Sequence, residues 1–233
     1  SDLEEYSHGT SPDLAATIPG APQIASPYYG EEIASLLPTL SVTNGDHDAE
    51  AVPSYEFEVY SDESMSQLVL SVADIVEGSG STALSLSESN FVGGETGLLD
   101  NTEYFWRART YTYENTLKVA SQWVNGRFFV NQANDAPGLA RISSPSNDTS
   151  VNTPAPWLSV GNSEDLDNDA LGYVFSVYAD EALTNLVAES STVIEGVSGI
   201  TGWNLTASLI ENQSYYWYVT ATDEHGAQSQ SAV

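Results

Sequence analysis

One phrase occurs twice in this chain at a fixed distance. Tyr55-Glu-Phe-Glu-Val-Tyr60, followed by Asp62-Glu-Ser-Met-Ser-Gln-Leu-Val69, returns as Tyr173-Val-Phe-Ser-Val-Tyr178, followed by Asp180-Glu-Ala-Leu-Thr-Asn-Leu-Val187. Ser26-Pro27 returns as Ser144-Pro145, and every such pair of counterparts stands 118 residues apart. That period is several times the ~20–50 residues of solenoid repeats and matches whole small domains in series. The 233 residues therefore read as an N-terminal extension, 1–20, and two domains, 21–131 and 132–233. Each is long enough to bury a modest core. Tandem copies of one small domain are more often spacers, adhesins or fibre subunits than enzymes.

Short alternating runs rich in Val, Tyr, Phe, Trp and Thr, separated by Asn, Asp, Gly and Ser clusters, predict strands of antiparallel sandwiches. In the first copy these are 23–26, 37–43, 55–61, 68–76, 83–87, 104–113 and 122–130. In the second they are 139–143, 157–161, 172–179, 186–194, 202–206, 215–222 and a stub at 228–233. Alternation also sorts the faces. Tyr55, Phe57 and Val59 oppose Glu56, Glu58 and Tyr60, while Tyr104, Trp106 and Ala108 oppose Phe105, Arg107 and Arg109. If the two strands are neighbours, the glutamates face the arginines as cross-strand pairs. The second copy changes both sides together, to Val174 and Ser176 and to Tyr218 and Thr220. That covariation points to a structural role for the arginines rather than an anion site.

The phrase Leu98-Leu-Asp-Asn-Thr-Glu-Tyr104-Phe-Trp-Arg-Ala108, echoed by Leu209-Ile-Glu-Asn-Gln-Ser-Tyr215-Tyr-Trp-Tyr-Val219, resembles the start of strand F in fibronectin type III domains. The resemblance implies an all-β protein of two tandem seven-stranded, immunoglobulin-like sandwiches. It also implies a tyrosine corner at Tyr104 and at Tyr215. The linker ending Asn134-Asp135-Ala136-Pro137 resembles the Asn-Asp-x-Pro junction of cadherin-like repeats in secreted bacterial surface proteins, which implies a place outside the cell. Both likenesses belong to architectures that host many functions.

The formal net charge is −28, with five Lys and Arg against 33 Asp and Glu. All the Lys and Arg (Arg107, Arg109, Lys118, Arg127 and Arg141) lie in the central stretch. Such a field repels phosphate backbones and anionic lipid, so no nucleic-acid partner is expected. No apolar run reaches the ~20 residues of a membrane-spanning helix, so no membrane insertion is expected either. Cysteine is absent, which removes disulfides and thiolate metal sites. Motifs of nucleophilic, zinc-hydrolytic or dinucleotide chemistry are missing, and His8, His47 and His225 fall in expected loops without repeat counterparts. The expectation is a protein that is not an enzyme and requires no cofactor, except that its acidic loops are suited to calcium.

The loop Asn162-Ser-Glu-Asp165-Leu-Asp167-Asn-Asp169 carries alternate aspartates that can converge on one hard cation, since Ca²⁺ takes six to eight oxygens at ~2.3–2.6 Å. It is not an EF-hand, because Ala170 replaces the turn glycine and Ser176 replaces the bidentate carboxylate. It resembles instead the Asp-x-Asp-x-Asp-x-Leu-x-Tyr stretch of cadherin-like repeats, with Leu171 and Tyr173 in place. In the first copy Asp46, Asp48 and Glu50 stand one residue out of phase, a second and less complete candidate. Solvated acidic loops without an ion are the competing reading for both.

The two ends do not match the modules. The second copy breaks off at Ala232 and Val233, before the counterpart of Phe128-Phe129-Val130, leaving the last strand incomplete and an edge open to pairing. Before the first module, Leu14, Ala16 and Ile18 alternate as a donor strand would. A window from a longer array and donation of that strand to the next molecule, building a filament head to tail, both account for this. The function expected is a structural or adhesive extracellular protein whose partners are copies of itself or neighbouring domains. The alternative is a spacer or carbohydrate-binding segment of a larger secreted surface enzyme, for which Tyr216 and Tyr218 are the candidate sugar platform. Phe91-Val92, in an insertion of about seven residues peculiar to the first copy, is expected on a variable surface loop.

Overall fold

Period-two alternation, interrupted by glycine, asparagine and serine clusters, builds an all-β chain of several sheets, in keeping with β-sandwich architecture. The computed structural model describes residues 18–48, 50–91, 94–114 and 116–233. The chain divides into two compact units, Ser1–Gln132 and Ala133–Val233. Among the described residues no helix is long and apolar enough to cross a membrane.

The first unit contains β1 (Gln23–Ser26), β2 (Glu31–Ile33), β3 (Thr39–Thr43), β4 (Ser54–Tyr60), β5 (Leu68–Val76), β6 (Ser81–Ser85), β7 (Thr102–Glu114), β8 (Leu117–Ala120) and β9 (Val124–Val130). One sheet runs β1-β3-β6 and the other β2-β9-β7-β4-β5, with β8 also on β7. Leu40, Val42 and Leu84 from the first sheet meet Phe57, Val59, Trp106, Phe128 and Val130 from the second in a single core. At its centre the Phe57 ring stacks on the Trp106 indole, with centroids 6.2 Å apart and planes within 9°. Such a pair adds about 0.5–1.5 kcal/mol beyond the area it buries. Glycine is required opposite that indole, since a Cβ on Gly126 would stand 2.5 Å from Trp106 Nε1.

The second unit contains β10 (Arg141–Ser144), β11 (Trp157–Gly161), β12 (Gly172–Tyr178), β13 (Leu186–Glu189), β14 (Val193–Ile194), β15 (Ile200–Asn204), β16 (Tyr216–Thr222) and β17 (Gln228–Gln230). Its sheets are β10-β11-β15 and β13-β12-β16-β17, with β14 on β12. Phe175 takes the place of Phe57 and stacks on Trp217 at 6.2 Å. The repeat extends to polar side chains. Asn44 donates to the Gly78 carbonyl and accepts from the Thr82 hydroxyl, and Asn162 does the same with Gly196 and Thr201. The Asp62 and Asp180 carboxylates each accept two N–H groups of the following turn, at Ser66 and Gln67 and at Thr184 and Asn185. The tyrosines named from the sequence close corners: Tyr104 Oη accepts the Leu99 N–H at 2.9 Å, and Tyr215 Oη accepts the Ile210 N–H at 2.8 Å.

Several expected elements differ. The strand expected at 122–130 forms as β9 from Val124 onward, and an unforeseen strand, β8, precedes it, set off by Ser121. The Ser121 hydroxyl accepts the Thr110 N–H and donates to the Gln122 carbonyl, shifting the register between β8 and β9. The strand expected at 186–194 splits, since Ser190 takes both backbone groups of Phe175, the N–H through its hydroxyl and the carbonyl through its N–H. Strand β2, unforeseen, pairs in parallel with β9 through Glu31, Glu32 and Ile33, a segment with no alternating apolar signal. Phe91 is buried in the core rather than displayed on a loop. Val92, like Leu14 and Ala16, lies outside the described residues.

Gly126→Ala is expected to destabilise the first unit by about 1–3 kcal/mol through overpacking against the indole. Urea unfolding followed by tryptophan fluorescence measures it, and an unchanged midpoint would show that the glycine is not demanded by the indole.

Candidate cation site and open strand edge

The charged ladder on the first unit forms as the alternation implied. Strand pairing sets Glu56 opposite Arg109 and Glu58 opposite Arg107, with ion-pair contacts of 2.8 Å and 2.6 Å. Two members escaped the sequence reading. Lys118 Nζ reaches Glu56 at 2.9 Å, and the Trp123 ring lies 4.3 Å from the Arg107 guanidinium and 4.2 Å from that of Arg109. Burial alone would raise the Glu56 carboxyl, but Lys118 and Arg109 outweigh it and hold the group below its ordinary value. The arginines are thus already neutralised and stacked, which leaves little for an external anion.

The first acidic loop is dispersed. Asp46, Asp48 and Glu50 are all exposed. Asp46 uses its backbone carbonyl to accept the Gly20 N–H, and His47 Nε2 pairs with Glu77 at 2.9 Å.

The second acidic loop converges. Asp165, Asp167 and Asp169 offer carboxylate oxygens that all lie within 4.8 Å of one another. The turn responsible is built by Asp165 Oδ1, which accepts the N–H groups of Asp167 at 3.0 Å and Asp169 at 3.2 Å. Asn168 takes the left-handed conformation, φ 61°, that swings the chain round. Asp167 is only 5% exposed. Its Oδ2 accepts the Asp135 N–H at 2.5 Å, which ties the incoming linker to the loop, as does the Gly138 N–H donated to the Glu164 carbonyl. Asp167 Oδ1 and Asp165 Oδ2 are buried without a hydrogen-bond partner. Burial pushes the Asp167 carboxyl up, the Asp135 N–H pulls it down, and the charges of Asp165, Asp135 and Asp169 push it up again, the net direction being upward.

Next to this loop lies the turn Asp223–Ala227. Asp223 is as deeply buried, at 6% exposed, yet fully engaged. Its Oδ2 accepts from Asn134 Nδ2, and its Oδ1 from the N–H groups of His225 and Ala227. Burial would raise Asp223, but these donors outweigh it and hold the carboxyl below its ordinary value. His225 Nδ1 meets Asp169 Oδ2 at 2.8 Å, and that hydrogen bond, followed by the Asp169 charge, raises the imidazole. Asp169, Glu224 and His225 form a second close group. Neither Asp223 nor His225 was nominated from sequence; a buried aspartate preceding a His-Gly turn is visible only once the fold brings it to the Asp-rich loop.

The other candidate is the edge of β16. In the first unit β7 is paired along its length, with β9 beside Thr102–Ala108 and β8 beside Tyr111–Glu114. In the second unit β17 pairs only with Thr220–Thr222, and two further bonds join Ser231 to Val219, from the Ser231 N–H to the Val219 carbonyl and from the Val219 N–H to the Ser231 hydroxyl. Among the described residues, nothing is paired with that side of Tyr216 and Trp217. Beside it lies a groove of about 1070 Å³ lined by apolar residues such as Leu158, Val177 and Leu205 and by polar ones such as Asn152, Asn212 and Gln213. Of the expected interface residues Ala232 and Val233 end at this edge, both exposed, and Ile18 is 68% exposed. Tyr218 stacks on Tyr178 with centroids 5.7 Å apart, while Tyr216 lines the groove.

No protein-family model matches the chain, and no protein with a curated description does. Solved structures that align with it include an α-L-rhamnosidase from Dictyoglumus thermophilum (TM-score 0.37, 12% identity) and dimeric latent PorU from Porphyromonas gingivalis (TM-score 0.31, 14% identity). The alignments cover 92% and 93% of this chain but 28% and 20% of those proteins.

Asp223→Asn is expected to lower the unfolding midpoint of the second unit at neutral pH. Because the folded carboxyl is held below its unfolded value, its contribution is present above the unfolded pKa of about 4 and is lost as pH falls through the folded one. The difference between Asp223→Asn and the parent chain should therefore close in acid. Thermal melts across that window test this, and a difference independent of pH would contradict it.

Proposed function

We propose that the chain is a structural subunit of an extracellular surface or filament assembly, made of two fibronectin type III-like, seven-stranded sandwiches and joined to copies of itself head to tail. The observation that carries this reading is the contrast between the two units. The edge of β7 is covered by β9, which inserts Phe128 and Val130 into the core, both 0% exposed. Among the described residues the same edge of β16 is uncovered over Tyr216 and Trp217, beside a groove of mixed polar and apolar lining. A bare edge of this kind is a template for strand addition, which supplies backbone hydrogen bonds and apolar anchors at alternate positions.

The donor we propose is the segment Leu14–Ile18 of another copy, in which Leu14, Ala16 and Ile18 alternate along the sequence. Contacts of this head-to-tail kind do not close and so propagate as a fibre. Strong net charge of one sign keeps such subunits soluble until a specific contact forms. No catalytic role and no nucleic-acid or lipid partner belongs to the proposal. A second reading, a carbohydrate-binding or spacer segment of a larger secreted enzyme, draws on the aromatic pair Tyr178–Tyr218 with Tyr216 beside it.

Light scattering on the chain, beside a version lacking residues 1–18, tests assembly. That truncation keeps the buried Pro19 and the Gly20 N–H bond to Asp46, so the first unit stays intact. Large polymers from the parent and monomers from the truncation are expected. Monomers from both would sink the proposal, and retention of the parent on insoluble polysaccharide, lost with Tyr218→Ala, would replace it with the second reading.

A further inference from the structure

We propose that the groove beside β16 is a strand slot with two backbone rails, and that it admits segment 14–18 of another copy in one direction and one register, with Ala16 opposite Trp217 and Ile18 opposite Tyr215. This rests on the strand-donation reading and adds what that reading leaves open, namely which way the donor runs and which of its residues meets the indole.

The first unit shows how such a slot is filled. Strand β9 lies between two neighbours, antiparallel to β7 on one side and parallel to β2 on the other. The chain reaches β2 through a turn after Pro27, in which the Glu31 N–H is donated to the Tyr28 carbonyl and Gly30 takes a positive φ of 81°. The second unit makes the same turn 118 residues later. There the Thr149 N–H is donated to the Ser146 carbonyl, and Asp148 takes a positive φ of 59°, a conformation that aspartate tolerates better than most residues. Residues 149–151 therefore stand where Glu31–Ile33 stands, yet among the described residues they form no strand. They line the groove together with Tyr215, Tyr216 and Trp217. A rail on each side fixes polarity. The strand between them runs antiparallel to β16 and parallel to residues 149–151, as β9 does between β7 and β2.

Register follows from side-chain size. Strand β9 sets Gly126 opposite Trp106 and Phe128 opposite Tyr104. A Cβ at Gly126 would stand 2.5 Å from the indole, whereas Phe128 fills the core. The rule is a small residue at the tryptophan and a large apolar one two places on. The second unit repeats the acceptor side of that rule. Trp217 stacks on Phe175 as Trp106 does on Phe57, both at 6.2 Å, and Tyr215 closes its corner as Tyr104 does.

Within Leu14-Ala15-Ala16-Thr17-Ile18 one choice satisfies the rule. Leu14 and Ile18 are too large for the tryptophan. Ala15 there would send Thr17 to the apolar position, and Thr17 there would send Pro19, which has no N–H for the ladder. Ala16 at the tryptophan puts Ile18 at the apolar position. Toward Leu14 the ladder stops, because the next backbone along β16, that of Val219, already bonds Ser231.

The test uses the full chain, and its lack of cysteine lets an introduced pair report register directly. In the proposed pairing Thr17 stands opposite Tyr216, as Arg127 stands opposite Phe105, at a separation a disulfide spans. Thr17→Cys/Tyr216→Cys is expected to give a ladder of disulfide-linked oligomers under mild oxidation. Ala15→Cys/Tyr216→Cys, one pair out of register, is expected to stay unlinked. Light scattering supplies the second readout. Ala16→Leu should raise the concentration needed for assembly by about tenfold or more, and Ala16→Gly, which removes the carbon that Gly126 lacks, should lower it. If the parent is as monomeric as a chain lacking residues 1–18, strand donation itself fails and this proposal with it. If the parent assembles and the truncation does not, yet Ala16→Leu assembles like the parent or the position-15 cysteine links in place of the position-17 one, the register is overturned while the assembly reading stands. A disulfide between positions 17 and 216 closed within one chain would overturn the second copy as donor.

Discussion

Both units depend on one aromatic contact, a phenylalanine from one strand stacked on a tryptophan from its neighbour, fully buried in the first unit and with its tryptophan partly buried in the second. Phe57 on Trp106 and Phe175 on Trp217 stand at the middle of the β4–β7 and β12–β16 pairings, where the two sheets of each unit come together. Everything around them adjusts to the size of the indole. Gly126 is small because the indole fills its Cβ position. Tyr104 and Tyr215 pin the turn that leads into the tryptophan strand by accepting a backbone N–H five residues back. A cysteine-free sandwich gains its stability from packing of this kind, since no disulfide reduces the entropy of its unfolded chain.

With the aromatic centre in place, the outward faces were free to diverge, and the two copies did so in opposite electrostatic directions. On the first unit the glutamates of β4 are answered by Arg107, Arg109 and Lys118, with Trp123 stacked beside the guanidinium groups. On the second, the corresponding positions are the neutral Val174, Ser176, Tyr218 and Thr220, and three carboxylates gather in the loop of Asp165, Asp167 and Asp169. Within a single unit, one buried carboxylate, that of Asp223, is matched by three donors and the other, that of Asp167, keeps an oxygen without a hydrogen-bond partner.

Much of this was legible beforehand. The duplication and the strand faces follow from spacing and alternation, because side-chain direction in a strand has a period of two and is visible in a single segment, whereas the two corner tyrosines were expected from the resemblance to strand F of fibronectin type III domains. The all-β class was equally plain. Less visible were elements whose reason lies elsewhere in the chain. Strand β2 exists because β9 offers it a partner, not because Glu31-Glu32-Ile33 favours extension. The breaks at Ser121 and Ser190 come from a hydroxyl competing with the ladder for the N–H of a residue on the facing strand. Phe91 is buried because its turn folds back over the core.

The candidate site divides the same way. The sequence by itself determined that Asp165, Asp167 and Asp169 share a loop and that the first copy lacks their counterparts in phase, since both are matters of spacing along the chain. It also determined the sign of the charge that any partner meets. Only the tertiary structure decided that Asp167 is buried with one oxygen unmatched, that Asp223 beside it is satisfied by Asn134 and its own turn, and that β16 presents a bare edge above a groove. Burial and hydrogen-bond partnership are set by groups brought together from distant segments, and no local pattern encodes which buried oxygen will be left without a donor.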